Sequence, residues 1–302
     1  MDCSYIPEDS NTWDRFYHPD PDDEDPPTLD EIRILREFVD CYGTSDAIAA
    51  DEAARNFMSL CNDDRHGGIV DKGERVGWLL WDVGIEMPRY QPAILRLIRT
   101  WRFKERLERW IKMEAFEEIW FTAWQRCWDW RYPGHEYDDE GYSDFLNANA
   151  FNAHRLAAYP PDSPRSNELG RAYQLIIFTL EQDPWNHIPE SLQKGTRSPR
   201  LIDRTWCITS LDTDVHALVP FIQIAGHIIF RFIGRKDLSG WDSMKYPDSN
   251  LWKGDTMFSL DRWEFWRERL RWISEQDELK ERTRCEARML EKLMLSIQQH
   301  TE

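Results

Sequence analysis

Residues Asp214–Ile233 read DVHALVPFIQIAGHIIFRFI, and they hold the longest apolar run of the chain, Ala217–Ile233. Wound at helical period, this segment is hydrophobic on nearly every side, so other elements have to enclose it. The apolar run is about one turn short of spanning a bilayer, and it carries Gln223, His227 and Arg231. It therefore reads as the central helix of a folded domain, and no membrane segment is expected.

Helical patterns extend from it in both directions. Towards the C-terminus, Ser259 is placed to cap a helix through the W-E-F-W block of Trp263 and Trp266, and Asp277 to cap a last helix ending near Gln298. Towards the N-terminus, Ser166 opens a helix to about Gln182, and Ser143–Ala158 forms another. Further back, helical spacing runs from Pro92 to about Trp130, with a bend expected near Lys112–Ala115, and a preceding helix spans about Val70–Glu86. Ser45 caps a helix through Cys61. Thr28 and Glu31 have the spacing of a capping box ahead of Leu29, Ile32, Leu35 and Val39. No run alternates with the period of a strand, and no internal repeat stands out. The expected fold is all-α: a single large helical domain over residues 28–302, built from about nine to eleven helices.

Residues 1–27 read as a disordered acidic arm. His18–Pro27 contains five acids and four prolines with almost nothing apolar to bury. The chain carries a formal net charge of −17, which disfavours bulk nucleic acid and anionic membranes unless basic residues cluster locally. Its 6 cysteines lack a C-x-x-C pair, so neither a zinc ribbon nor a disulfide framework is expected, and reduced thiols in a cytoplasmic protein fit the pattern. No metal and no cofactor is expected. Phosphate-cradling, dinucleotide, zinc-protease and nucleophile-elbow motifs are all missing, so any reaction here uses a substrate activated elsewhere.

Four constellations have chemical potential. Arg99, Arg102, Arg106 and Arg109 share one helix face and reverse the local sign of charge. Such a ladder suits a phosphate backbone, or a solvated face paired with the acidic segments. His216, Pro220, Gln223, His227 and Arg231 lie in one narrow stripe of the apolar helix. Gln223 and His227, one turn apart, have the groups to orient an amine and to relay a proton, unless the stripe simply faces water. Asn149 and Asn152 in L-N-A-N-A-F-N-A-H-R suggest specific hydrogen bonds, to a substrate or to a neighbouring segment. Of the 16 tryptophans most belong in a core, including the ladder Trp120, Trp124 and Trp128, whereas Trp241 and Trp252 sit in a loop and suit a pocket lid.

Several blocks together resemble a known family: V-G-W-L-L-W with M-P at Val76–Pro88, L-N-A-N-A-F-N-A-H-R-L at Leu146–Leu156, A-L-V-P-F-I-Q-I-A-G-H-I-I-F at Ala217–Phe230, and L-W-K-G with F-S-L-D-R-W-E-F-W-R-E-R-L at Leu251–Leu270. They are similar to a large fungal family catalogued as a domain of unknown function and often found near secondary-metabolite genes. The resemblance, over about residues 70–298, points to arginine-containing cyclodipeptide synthases, which join arginine and a second amino acid into a diketopiperazine from aminoacyl-tRNA donors. On that reading Gln223 and His227 are catalytic, and Asn149 and Asn152 fix the substrate backbone. Asp212 or Asp214 supplies a carboxylate for the guanidinium, and Trp241 and Trp252 close over it. Aminoacyl-tRNA is the partner, on the Arg99–Arg109 ladder. No Ser or Cys has a visible base partner, so a covalent aminoacyl intermediate is not expected. The rival expectation is a non-catalytic helical interaction or scaffold protein, in which all these stripes are ordinary surfaces.

Overall fold

The computed structural model describes residues 13–18, 26–41, 46–61, 69–108, 122, 139–158, 167–182, 204–234, 251–254 and 258–301, and every regular element among them is helical. The α-helices are α1 (Asp14–Tyr17), α2 (Leu29–Cys41), α3 (Asp46–Cys61), α4 (Ile69–Glu86), α5 (Gln91–Glu108), α6 (Asp139–Ala158), α7 (Asn167–Leu180), α8 (Arg204–Phe230), α9 (Leu260–Ser274) and α10 (Glu281–Thr301), with a 3-10 turn at Pro88–Tyr90. The all-α expectation holds. The chain divides into two compact units, residues 7–129 and residues 130–302 together with 1–6.

In the unit of residues 7–129, α2 packs on α3, and α3 packs on both α4 and α5. The capping box forms as its spacing requires: the Thr28 amide donates to Glu31 Oε2 at 2.7 Å, and the Glu31 amide donates to Thr28 Oγ1 at 3.3 Å. The same carboxylate also reaches α4, where Arg75 Nε donates to Glu31 Oε2 at 2.9 Å and Arg75 Nη2 to Oε1 at 3.0 Å. Gln91 Nε2 donates to the Gly84 carbonyl at 2.9 Å, filling one of the acceptors that the last turn of α4 leaves open. Within the acidic arm, residues 13–17 form a feature that charge and proline content did not reveal. Trp13 and Phe16 are buried, Trp13 lies 6.1 Å from the Tyr90 ring, and Arg15 pairs with Glu86. The bend expected near Lys112–Ala115 and the ladder of Trp120, Trp124 and Trp128 lie outside the described residues.

In the unit of residues 130–302, α8 lies at the centre, packed on α6, α7 and α10, while α9 pairs with α10 and touches α7. Ser210–Phe230 has the length and apolarity of a membrane span, yet most of it is buried inside the protein, as its all-round hydrophobicity demands. Pro220 lies within α8 and withholds the amide that would have bonded the His216 carbonyl. Gly234 stops the chain after α8 with φ 77, and its amide donates to the Phe258 carbonyl at 2.9 Å. Ser259 Oγ then accepts from the Arg262 amide at 3.1 Å, so the expected cap of α9 is in place. Asp277 does not cap the last helix; it bonds Arg284 Nη1 at 2.8 Å, and α10 starts at Glu281. Trp263 and Trp266 are fully buried, and Trp263 meets Phe230 edge-on at 5.0 Å. Reduced thiols throughout were expected, but Cys285 is disulfide-bonded. Spacing along a sequence says nothing about cysteines that folding brings together.

Two substitutions in α2 separate local from tertiary ties. Thr28→Ala removes half a capping box and is expected to cost about 1 kcal/mol. Glu31→Ala also leaves Arg75, with only 10% of its side chain exposed, without this partner, and is expected to cost about 3–5 kcal/mol. Urea unfolding followed by circular dichroism reads both; equal losses would mean that the Arg75 pair contributes nothing.

Candidate functional site

Among the described residues of the unit 130–302, three groups of buried polar side chains each join two helices. The first is centred on Glu181, just past α7 and 0% exposed. Arg262 Nε donates to its Oε1 at 2.5 Å and Arg262 Nη2 to its Oε2 at 2.7 Å, a bidentate pair, while Trp266 Nε1 donates to Oε1 at 2.7 Å. The guanidinium is ringed by aromatic faces, with its Cζ 4.9 Å from the Tyr173 centroid and 5.8 Å from those of Trp252 and Trp266. Burial pushes the Tyr173 phenol well above its ordinary range, against the opposing pull of Arg262.

The second group joins α8 to α10. Asp212 Oδ1 accepts from the Lys280 amide at 3.2 Å and from Thr283 Oγ1, so a carboxylate from α8 caps the start of α10. One turn on, His216 Nδ1 lies 2.7 Å from Glu286 Oε1, and Arg282 Nη2 lies 2.5 Å from His216 Nε2 and 3.2 Å from Nδ1. Arg282 Nε also donates to Glu286 Oε1 at 2.8 Å. Further along, Gln223 Nε2 donates to Met289 Sδ at 3.3 Å, and a Cβ on Gly226 would stand 2.7 Å from Ile297 Cδ1. The contacts 212 to 283, 216 to 286, 223 to 289 and 226 to 297 advance together, so α8 and α10 run parallel.

The third group joins α6 to α7. Asn152 Nδ2 donates to the Ala148 carbonyl at 3.0 Å, and its Oδ1 accepts from Arg171 Nη1 at 2.8 Å. Asn149 Nδ2 donates to the Phe145 carbonyl at 2.7 Å, and its Oδ1, fully buried, has no hydrogen-bond partner among the described residues. Burial also holds the half-buried His154 imidazole below its ordinary range.

The sequence-derived candidates are thus distributed rather than gathered. Asn149 and Asn152 are interior, Asn152 facing α7; Gln223 is half-buried against α10; His227, one turn further, is exposed. The polar stripe of α8 is split, its first half facing α10 and its last members, His227 and Arg231, facing water. Asp212 is bonded within the α8–α10 contact and Asp214 is buried. Trp252 packs against Phe265 at 5.4 Å; Trp241 lies outside the described residues. Of the basic ladder, Arg99 is exposed on α5, the side chains of Arg102 and Arg106 lie outside the described residues, and Arg109 does so entirely. Sequence reasoning missed Glu181, Arg262, Arg282 and Glu286. For the last two a local signal existed, an Arg–Glu pair at i,i+4 on the second helix after the one that carries the buried histidine.

The profile of the family described as Protein of unknown function (DUF3632) matches residues 80–270, and the chain belongs to that family. No curated protein and no solved structure matches the chain.

Removing the Glu181 carboxylate strands a buried guanidinium, so Glu181→Ala is expected to cost about 3–5 kcal/mol in denaturant unfolding. Trp266→Phe, which loses only the N–H donor and part of the ring, is expected to cost less. Tyr173 gives a pH signature. Its folded-state pKa is raised, so its contribution to stability is whole below the unfolded value, about 10, and is lost as pH rises above that value. Alkaline unfolding curves of wild type and Tyr173→Phe are expected to diverge only above about pH 10; identical curves would remove Tyr173 from the account.

Proposed function

We propose that this member of the family is an aminoacyl-tRNA-dependent cyclodipeptide synthase that condenses arginine with a second amino acid into a diketopiperazine. The observation that carries the reading is the number of ionisable and amide groups the α6–α10 unit holds away from water. Asn149, Arg171, Glu181, Asp212, His216 and Glu286 are each at most 6% exposed. A scaffold gains little from such burial, since apolar packing in place of a buried ion pair is often as stable or more so. A condensing enzyme needs donors and acceptors held in a site that excludes water. The resemblance in sequence supplies the reaction, and the missing nucleotide-binding motifs agree with donors activated elsewhere. Charged tRNA would meet the protein at Arg99 and the rest of the α5 ladder, in the cytoplasm, where such donors are found.

A second reading, a helical interaction protein, draws on one observation. Asn152 bonds within an α6–α7 contact while His227 is exposed, which is how residues without a shared task are distributed.

The two readings part on one incubation: the protein with arginine, the other amino acids, ATP, their synthetases and tRNA, followed by mass spectrometry. An arginine-containing diketopiperazine is expected, and it should vanish when the tRNA is first digested with RNase. Product that survives digestion, or no product from any charged tRNA, overturns the synthase reading. Arg99→Glu is expected to weaken use of every charged tRNA alike and to flatten the dependence on salt, because a phosphate contact carries no base information.

A further inference from the structure

The one-turn helix α1 is out of character with the acidic arm that carries it. Four residues do not hold a helix in water by their own hydrogen bonds, so the order of Asp14–Tyr17 comes from what lies beneath it. Trp13 and Phe16, three apart and so on one side of the turn, are 8% and 6% exposed, with ring centroids 5.8 Å apart. Rings of that size are buried so far only when set into a surface. Here the surface is formed by α2 and the Pro88–Tyr90 turn, where Trp13 meets Tyr90. Charge fits as well: Arg15, 72% exposed, pairs with Glu86, the last residue of α4 and 12% exposed, and the Arg36 guanidinium of α2 lies 5.9 Å from the Tyr17 ring. Tryptophan, tyrosine and arginine are the residue types that anchor protein interfaces, and a helix laid into a groove by its apolar face is a recurrent mode of peptide recognition. α1 sits on its own chain as a short peptide sits on a partner. Its polar ties are open to water and contribute little, so two buried rings are what hold it.

We propose that the seat beneath α1 is a docking site for a short helical segment of another protein, with tryptophan and phenylalanine three residues apart and an arginine just before the phenylalanine. α1 is the resident occupant, and it has to leave before such a segment binds. The two ring positions select the aromatic pair, and Glu86 selects the arginine. Because residues 18–28 join α1 to α2, α1 competes for the seat at an effective concentration on the order of millimolar. A partner segment therefore binds in proportion to how often α1 is undocked. None of the residues assigned to the synthase reaction is used, so the docking site and that reading stand or fall separately.

The probe is a fluorescein-labelled peptide of residues 12–18, T-W-D-R-F-Y-H, read by fluorescence anisotropy against the full chain. In Trp13→Ala/Phe16→Ala, α1 loses its anchors and the seat opens. This variant is expected to bind the peptide saturably and about tenfold or more tightly than wild type, in which α1 excludes it. A peptide with both rings replaced by alanine should not bind. A peptide with glutamate in place of its arginine should bind the open variant weakly, and regain affinity when that variant also carries Glu86→Lys. Should the double variant not fold, Arg15→Glu takes its place: the side chain is exposed, and a carboxylate facing Glu86 undocks α1 by repulsion. It too is expected to bind the peptide more tightly than wild type. No saturable binding by a folded, open chain, or equal binding by open chain and wild type, overturns the proposal. So does a wild-type dimer in light scattering that dissociates in the double variant, because the seat would then hold the α1 of a second copy.

Discussion

A helix of 27 residues, most of them apolar, has no stable place in water unless neighbours enclose it. The arrangement of the unit of residues 130–302 follows from that constraint on α8. Helices α6, α7 and α10 surround it, and α9 packs against α10 and α7 outside it. Enclosure has a consequence for the polar residues that α8 carries. Asp212 and His216 cannot reach water, so each has its partners on α10, and the cost of removing them from solvent is offset by hydrogen bonds made there. The parallel course of α8 and α10 is the geometric outcome, with polar contacts at residues 212 and 216 and sulfur and aliphatic contacts at 223 and 226.

The Glu181–Arg262 pair answers the same problem between α7 and α9. A carboxylate without exposure accepts two bonds from one guanidinium and a third from an indole, and aromatic rings surround the cation. The pair joins the end of α7 to the first turn of α9, and beside it the Leu251 amide donates to the Glu181 carbonyl at 3.0 Å, which brings the segment before α9 to the same point. Such a cluster is costly to break and gains little over apolar packing. What it contributes is specificity: only one register of α7 against α9 satisfies every donor.

The His216–Glu286 pair differs from these in one respect. Its third member, Arg282, is half in water, with Nη2 2.5 Å from Nε2 and 3.2 Å from Nδ1 of the imidazole. The partners of Glu181 and Asp212 are themselves buried, or are backbone.

Much of the fold was legible in the sequence because its signals are short. The Thr28–Glu31 box and the Ser259 cap operate across three residues, the burial of α8 follows from its own composition, and Trp263 and Trp266 are in the core as their type predicts. The stripe of α8 was legible only as a line of residues on one side. Period alone cannot say that α10 covers His216 while His227 stays in water. The partners of the buried charges were not legible: Arg262 stands 81 residues after Glu181, and Glu286 stands 70 after His216. In a chain with 55 acids, nothing local marks Glu181, and the i,i+4 spacing of Arg282 and Glu286 does not reveal the histidine they meet. Helices, caps and the need to enclose α8 were determined by the sequence alone, because hydrogen bonds within a turn and helical period need only neighbouring residues. Which carboxylate meets which cation was decided by the tertiary structure, because a buried charge takes whatever partner packing brings to it.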